Sequence, residues 1–313
     1  MNLIICHTPL QVLIAEKIID MYPNEEFMGF FIFSLENPKN IYYANRLKER
    51  VDVCHFLSIK NTELNKKDIR QTLKWFKNYF YIRKLRTNVD KVFLSNAEFI
   101  LVQKIISLFH INEIYTFDDG TRNLTNYNGN FVSPKLKLFL RILGIKEDFQ
   151  SILQKSLCHY TIYSFLIGKK DNIKKIELFP NASSVANDMK EITILLGQPI
   201  FFNEDNKNKK LFNKVLSVYQ VDYYFPHPRE SYIIDNVEYI DTPLIFEDYF
   251  MKNFLDCRVK VLTFFSSVAL NLMNADNVEI VSLYHSDINE KLELEIYDVF
   301  KQLNINMVDI SDM

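Results

Sequence analysis

Short β-branched apolar runs alternate with longer amphipathic stretches along most of this chain. That rhythm constrains the fold more than any other feature. A strand followed by a covering helix and another strand builds a mostly parallel sheet with helices on both faces. Residues 3–6 read as a buried strand, and Thr8-Pro9 opens a helix to about residue 21. Proline suits the first helical turn there, where no backbone donor is needed. Further strands are expected at 27–33, 51–56, 91–94 and 113–117, with helices at 42–49, 68–86 and 98–108. The alternation resumes later, with strands at 191–196, 221–225, 237–240, 258–263, 278–283 and 306–309. Helices are expected at 206–218, 247–255, 266–273 and 289–303.

The rhythm breaks over 121–190. An Asn-rich polar loop (121–134) precedes a basic amphipathic helix (135–143), a short apolar strand or helix (160–166) and a polar stretch (168–188). A chain of 313 residues has room for two domains. A linker in the polar stretch gives an N-terminal Rossmann-like domain, 1–185, and a C-terminal one, 186–313. Two such α/β domains facing each other form a cleft at the carboxyl ends of their strands, so chemistry is sought there.

Composition removes several function classes. A net charge of −2 and a pI near 6.3 leave no basic field for nucleic acid. With 6 glycines there is no Gly-rich phosphate loop. Cys6, Cys54, Cys158 and Cys257 form no C-x-x-C pair, so they read as buried free thiols of a reducing cytoplasm. Neither a basic leader nor an apolar run of about 18 residues is present, which argues for a cytoplasmic chain and makes the sequons at Asn123 and Asn181 accidental. His7, His55, His110, His159 and His285 share no ligand spacing, so no metal site is expected. Trp75, Phe76, Tyr79 and Phe80 read as core packing. The Lys135, Lys137 and Arg141 face reads as solvated, with an anionic membrane surface as its alternative partner.

Four clusters sit at strand ends: 6–11, 117–123, 225–230 and 263–267. Asp118-Asp119-Gly120 reads either as a plain turn or as a carboxylate aimed into the cleft, serving as a general base or as a ligand for hydroxyls. His227 lies between Pro226 and Pro228, which stiffen the backbone and favour an aimed imidazole. Such a ring can donate a proton to a phosphate leaving group near neutral pH. Ser266-Ser267 is either an ordinary helix N-cap or a hydroxyl pair at a helix start that holds an anion.

Together these pieces resemble the bacterial sialyltransferases of glycosyltransferase family 52. The resemblance runs through 3–11, 116–123, 159–162, 194–199, 226–229, 245–249 and 263–266, in that order. It implies a GT-B fold, CMP-sialic acid as donor, inversion at the anomeric carbon, no metal or other cofactor, and a galactose-type hydroxyl of a surface glycan (lipooligosaccharide or capsule) as acceptor. It implies that His227 is the general acid, or at least a donor, on the CMP phosphate, and that Ser266 and Ser267 hold that phosphate. Glu247 would touch the ribose, Arg229 would hold phosphate or its own loop, and Pro228 and Thr263 would line the nucleotide side. Thr8, Gln11, Asp118 and Gly120 would lie on the acceptor side. The base is Asp205, which stands 22 positions before His227, or Glu204, or Asp119. A homodimer with peripheral membrane contact is compatible with the resemblance. A GT-B enzyme using another nucleotide sugar, or a non-catalytic binding subunit of capsule assembly, is the alternative reading.

Overall fold

The computed structural model describes residues 1–58, 80–85, 87–120, 138, 140–142, 144–167, 172–179, 189–273 and 275–313. Among these, residues up to Asp119 together with those between 138 and 178 form one compact unit, and Gly120 with the residues from Phe179 onward form another. The boundary expected at 185/186, both sequons, the polar loop at 121–134, most of the helix at 68–86, Trp75, Phe76, Tyr79, Lys135 and Lys137 lie outside the described residues.

The first unit is built on a parallel sheet in the order β3-β2-β1-β4-β5-β6-β7. These strands are β1 (Asn2–Cys6), β2 (Phe27–Phe33), β3 (Val53–Ser58), β4 (Asn88–Leu94), β5 (His110–Phe117), β6 (Ser156–Thr161) and β7 (Ile173–Lys175). β1 and β2 are buried at every residue. Their continuous apolar runs are what a sheet covered on both faces requires. Helices α1 (Pro9–Asp20), α2 (Pro38–Arg50), α3 (Ile100–Leu108) and α4 (Phe149–Lys155) link these strands. α1 and α2 both open on Asn/Thr caps followed by proline, and Thr8 Oγ1 accepts from Gln11 N. One core of Leu, Ile, Val and Phe side chains joins the inner strands to α3.

The second unit repeats the plan in the order β10-β9-β8-β11-β12-β13. Its strands are β8 (Lys190–Leu196), β9 (Tyr223–Phe225), β10 (Glu238–Tyr239), β11 (Cys257–Thr263), β12 (Val278–Tyr284) and β13 (Asn306–Asp309). Helices α5 (Asp205–Val218), α6 (Phe246–Asn253), α7 (Val268–Leu272) and α8 (Lys291–Gln302) lie between them. Phe225, Phe246, Phe250 and Phe254 pack with the Ile and Val residues of β8 and β11 into its core.

Three expectations change. Of the aromatic stripe, Phe80 is 56% exposed and so is not core. Of the cysteines only Cys6 is fully buried, where burial pushes its thiol well up; Cys54, Cys158 and Cys257 are half-buried. The helix expected from Ser266 begins at Val268 and is 5 residues long. Among the described residues no helix is long and apolar enough to cross a membrane.

Candidate active site

In each sheet the chain leaves one strand, builds outward on one side, and returns to build on the other. The reversal falls between β1 and β4 in the first sheet and between β8 and β11 in the second. At such a point the two connections diverge and leave a crevice at the carboxyl ends of the strands. Both crevices hold the polar groups singled out above.

In the second unit, β8 lies between β9 and β11. Leu195 is level with Tyr224 on one side and with Leu262 on the other. His227 and Ser266-Ser267 therefore leave the sheet at the same edge, on strands about 10 Å apart, with Gly197-Gln198 between them. Arg229 N donates to His227 Nδ1 at 3.1 Å. Glu230 Oε1 accepts from His227 N at 2.9 Å, and Glu230 Oε2 accepts from the Tyr224 hydroxyl at 2.9 Å. Pro228 and Arg229 are exposed. The Arg229 backbone amide serves the loop, and its exposed side chain leaves both roles open.

Ser266 Oγ accepts from Val268 N at 3.3 Å, and Ser267 precedes α7 without a side-chain capping bond. Glu247, in the first turn of α6, is 4% exposed and accepts from Asn271 of α7 at 2.6 Å. That bond fixes the carboxylate against the short helix that follows the two serines. Thr263 is fully buried at the end of β11, and its Oγ1 meets no hydrogen-bond partner among the described residues.

Asp205 and Glu204 open α5, and both are exposed. Ser231 Oγ donates to the two Asp205 oxygens at 2.9 and 2.8 Å. The pair borders an open cavity of about 680 Å³ with Asn203, Lys207, Lys210 and Ser231. Asp205 and His227 are thus joined within one unit by the segment 227–231.

In the first unit, the Asp119 carboxylate is gripped by two amides. Gln11 Nε2 reaches one oxygen and Asn96 Nδ2 the other. Gln11 also donates to Asn96 Oδ1 at 2.5 Å and accepts from His7 N at 2.6 Å. Gly120 holds φ at +69°, a conformation that a Cβ disfavours. Asp118 is fully buried. Its Oδ1 meets His159 Nε2 at 2.9 Å, and its Oδ2 accepts from Thr161 Oγ1 and Ile162 N, both at 2.7 Å. In this structure Asp118 clamps the end of β6, and Thr8 caps α1.

Sequence reasoning gave no role to Asn96, Asn271, Tyr224 or Glu230. Asn96 follows the apolar end of β4, beside β1, and becomes visible only once the strand order is known. Glu230 carried a local signal: it stands three residues after His227 with proline between them, the spacing of a tight turn.

His7 stacks on Phe99 with centroids 4.8 Å apart, and burial lowers its pKa from 6.5 to about 3. The unfolded chain takes up this proton below about pH 6.5, and the folded chain does so only near its own depressed value. The stability this histidine supplies is present above the unfolded pKa and is lost as pH falls. By about pH 4.5 the loss is roughly 2–3 kcal/mol. The urea midpoint is expected to drop further between neutral pH and about pH 4.5 in the wild type than in His7→Leu; equal drops would refute this.

The glycosyltransferase SnogD of Streptomyces nogalater superposes on 100% of this chain and 88% of its own, with a TM-score of 0.52 at 10% identity. Two parallel α/β units with polar groups at their carboxyl edges are the make-up of the GT-B glycosyltransferases, and this is the fold here. Residues 24–287 match glycosyltransferase family 52. The chain is 37% identical over 317 residues to the CMP-N-acetylneuraminate:beta-galactoside alpha-2,3-sialyltransferase of Pasteurella multocida, with 100% of both chains covered. It is also 37% identical over 288 residues to an N-acetyllactosaminide alpha-2,3-sialyltransferase of Haemophilus influenzae, covering 90% of this chain and 91% of that one. The chain belongs to glycosyltransferase family 52.

Proposed function

We propose that this enzyme is an inverting sialyltransferase that moves sialic acid from CMP-sialic acid to a terminal β-galactoside hydroxyl of a bacterial surface glycan, in α2,3 linkage. Full-length identity of 37% to a relative named for that reaction carries the reading. The donor side is the second unit. Ser266 and Ser267 hold the phosphate, His227 donates to it, and Glu247, fixed by Asn271, meets the ribose.

In the reaction, the bond from the sialyl C2 to the phosphate oxygen breaks, and its electron pair leaves with CMP. The acceptor oxygen bonds to C2 from the opposite face and gives its proton to a carboxylate. The developing oxocarbenium centre already carries its own carboxylate, so little nucleophilic push is needed. The enzyme contributes positioning, a base and a charge-stabilising frame, of which base and frame each supply about 10²–10⁴-fold or less. Asp205 is the favoured base. It shares a unit with His227, borders an open cavity and is steadied by the Ser231 hydroxyl. Asp119 has each oxygen engaged by an amide and is assigned to shaping the acceptor side with Gln11.

The test is incubation with CMP-sialic acid and a β-galactoside. Expected products are free CMP and an α2,3-sialylated galactoside, with the rate unchanged by a chelator because no step is assigned to a metal. Turnover of UDP- or GDP-sugars instead, or CMP binding with no transfer to any acceptor, would overturn the reading. Exposed Leu138 and Ile142, one helical turn apart beside Arg141, support peripheral contact with an anionic membrane surface. Co-flotation with anionic but not neutral vesicles, and a dimeric mass in sedimentation, are expected.

A further inference from the structure

The turn that carries His227 is fixed from several sides. Glu230 N donates to His227 O at 3.0 Å and closes a four-residue turn. Pro228 occupies its second position, where the fixed φ of proline is favoured. The Glu230 side chain then folds back, and its carboxylate takes the His227 amide on one oxygen and the Tyr224 hydroxyl on the other. Burial, and after it the Glu230 charge, push the Tyr224 hydroxyl far above its ordinary range, so it remains a donor at any working pH. There is room for this carboxylate because residue 197 is glycine. A Cβ there would overlap Glu230 Oε1 and stand 2.5 Å from Tyr224 Oη.

The imidazole is also oriented. Its Nδ1 accepts the Arg229 amide proton at 3.1 Å. A ring nitrogen that accepts carries no proton, so the neutral ring bears its proton on Nε2. An imidazolium has two N–H groups and would have to give up that bond.

We infer that Glu230 is the positioning residue for His227, and that the turn it holds presents His227 to the leaving phosphate as a neutral Nε2–H hydrogen-bond donor rather than as an imidazolium that surrenders a proton. This deepens the proposed function and rests on it. The proton count closes without His227: the acceptor hydroxyl gives its proton to the carboxylate base, which releases it to water, and CMP departs with the electron pair of the broken C–O bond. A phosphate monoester has a second pKa of about 6, so CMP is stable as a dianion above neutral pH. Such a leaving group needs its charge held by an aimed dipole, and no proton has to be transferred to it.

The experiment uses the full chain labelled with ¹⁵N on histidine. Long-range ¹H–¹⁵N correlation, assigned with His227→Gln, is expected to show a neutral, Nε2-protonated ring at about pH 7.5, with and without CMP. In Glu230→Gln the single-tautomer signature is lost. That variant is also expected to lower kcat at least 10-fold while KM for CMP-sialic acid stays within threefold. Tyr224→Phe removes one hold on the carboxylate and keeps its charge, and is expected to shift both readouts the same way by less. His227→Gln, which can donate but cannot transfer a proton, retains more activity than His227→Ala. Wild-type kcat shows no loss through the slightly alkaline range. An imidazolium, a ring protonated on Nδ1 alone, or Glu230→Gln turning over within twofold of wild type while correctly folded would overturn the inference. If CMP-sialic acid supports no transfer at all, the proposed function falls, and the nitrogen shifts still accept or reject the tautomer.

Discussion

Asp205→Asn is expected to lower kcat about 10²–10⁴-fold with KM for CMP-sialic acid within about threefold, because a base acts in the transition state and contributes little to donor binding. The choice of Asp205 over its two rivals is geometric. Its carboxylate opens α5, faces solvent and is held at both oxygens by one hydroxyl. A hydroxyl steadies the group while leaving lone pairs for an incoming sugar. Glu204, next to it, makes no capping bond and is oriented by nothing comparable. Asp119 sits in an amide frame, so Asp119→Asn is expected to raise acceptor KM while costing kcat about tenfold or less. Ser231→Ala is expected to give a loss of several-fold in kcat, intermediate between wild type and Asp205→Asn. The opposite ranking, with Asp119→Asn near-dead and Asp205→Asn active, would move the base to the first unit.

The parallel α/β plan was legible because burial on both faces forces continuous apolar strands, and 27–33 and 306–309 are strands to the residue. What stayed hidden follows from the same physics. β7 carries Lys174 and Lys175 at an outer position in the sheet, so it has no apolar run to betray it, and it falls inside the stretch read as a polar linker. α4 rests on a capping box between Asp148 and Ser151, a signal weaker than the helical periodicity that a seven-residue segment is too short to display. At the proposed site, His227, the three candidate carboxylates Asp205, Glu204 and Asp119, Glu247 and the serine pair could be singled out in the sequence because their types and order suggest chemistry. Their supports could not. Asn96, Asn271 and Tyr224 reach their partners across 23, 24 and 6 residues of chain, and nothing local marks the first two as paired. The two aspartates before Gly120 look alike in sequence, yet one faces the amide frame and the other the sheet interior, a split decided by where β6 docks.

That split makes the second large prediction one of stability. Asp118→Ala removes the acceptor for the Thr161 hydroxyl, the Ile162 amide and the His159 ring in a fully buried place. Leaving such donors without a partner costs about 3–5 kcal/mol. At roughly 2–4 °C per kcal/mol for a unit of this size, the melting transition of the first unit falls by about 6–20 °C in calorimetry. Asp118→Asn is expected to fall about half as far, since the amide keeps one accepting oxygen for the Thr161 and Ile162 donors but offers an NH₂ where His159 needs a partner of defined polarity. The groups proposed to hold the nucleotide belong to the second unit, so the thermal shift that CMP produces on that unit should be unaltered. Asp119 follows directly in the chain, and its amide frame is aimed from a backbone that Asp118 ties to Tyr160 and Ile162, so acceptor KM should rise in parallel with the lost stability. An Asp118→Ala protein that melts with the wild type would mean that the buried carboxylate is not the clamp on β6, and that the acceptor-side frame takes its shape from elsewhere.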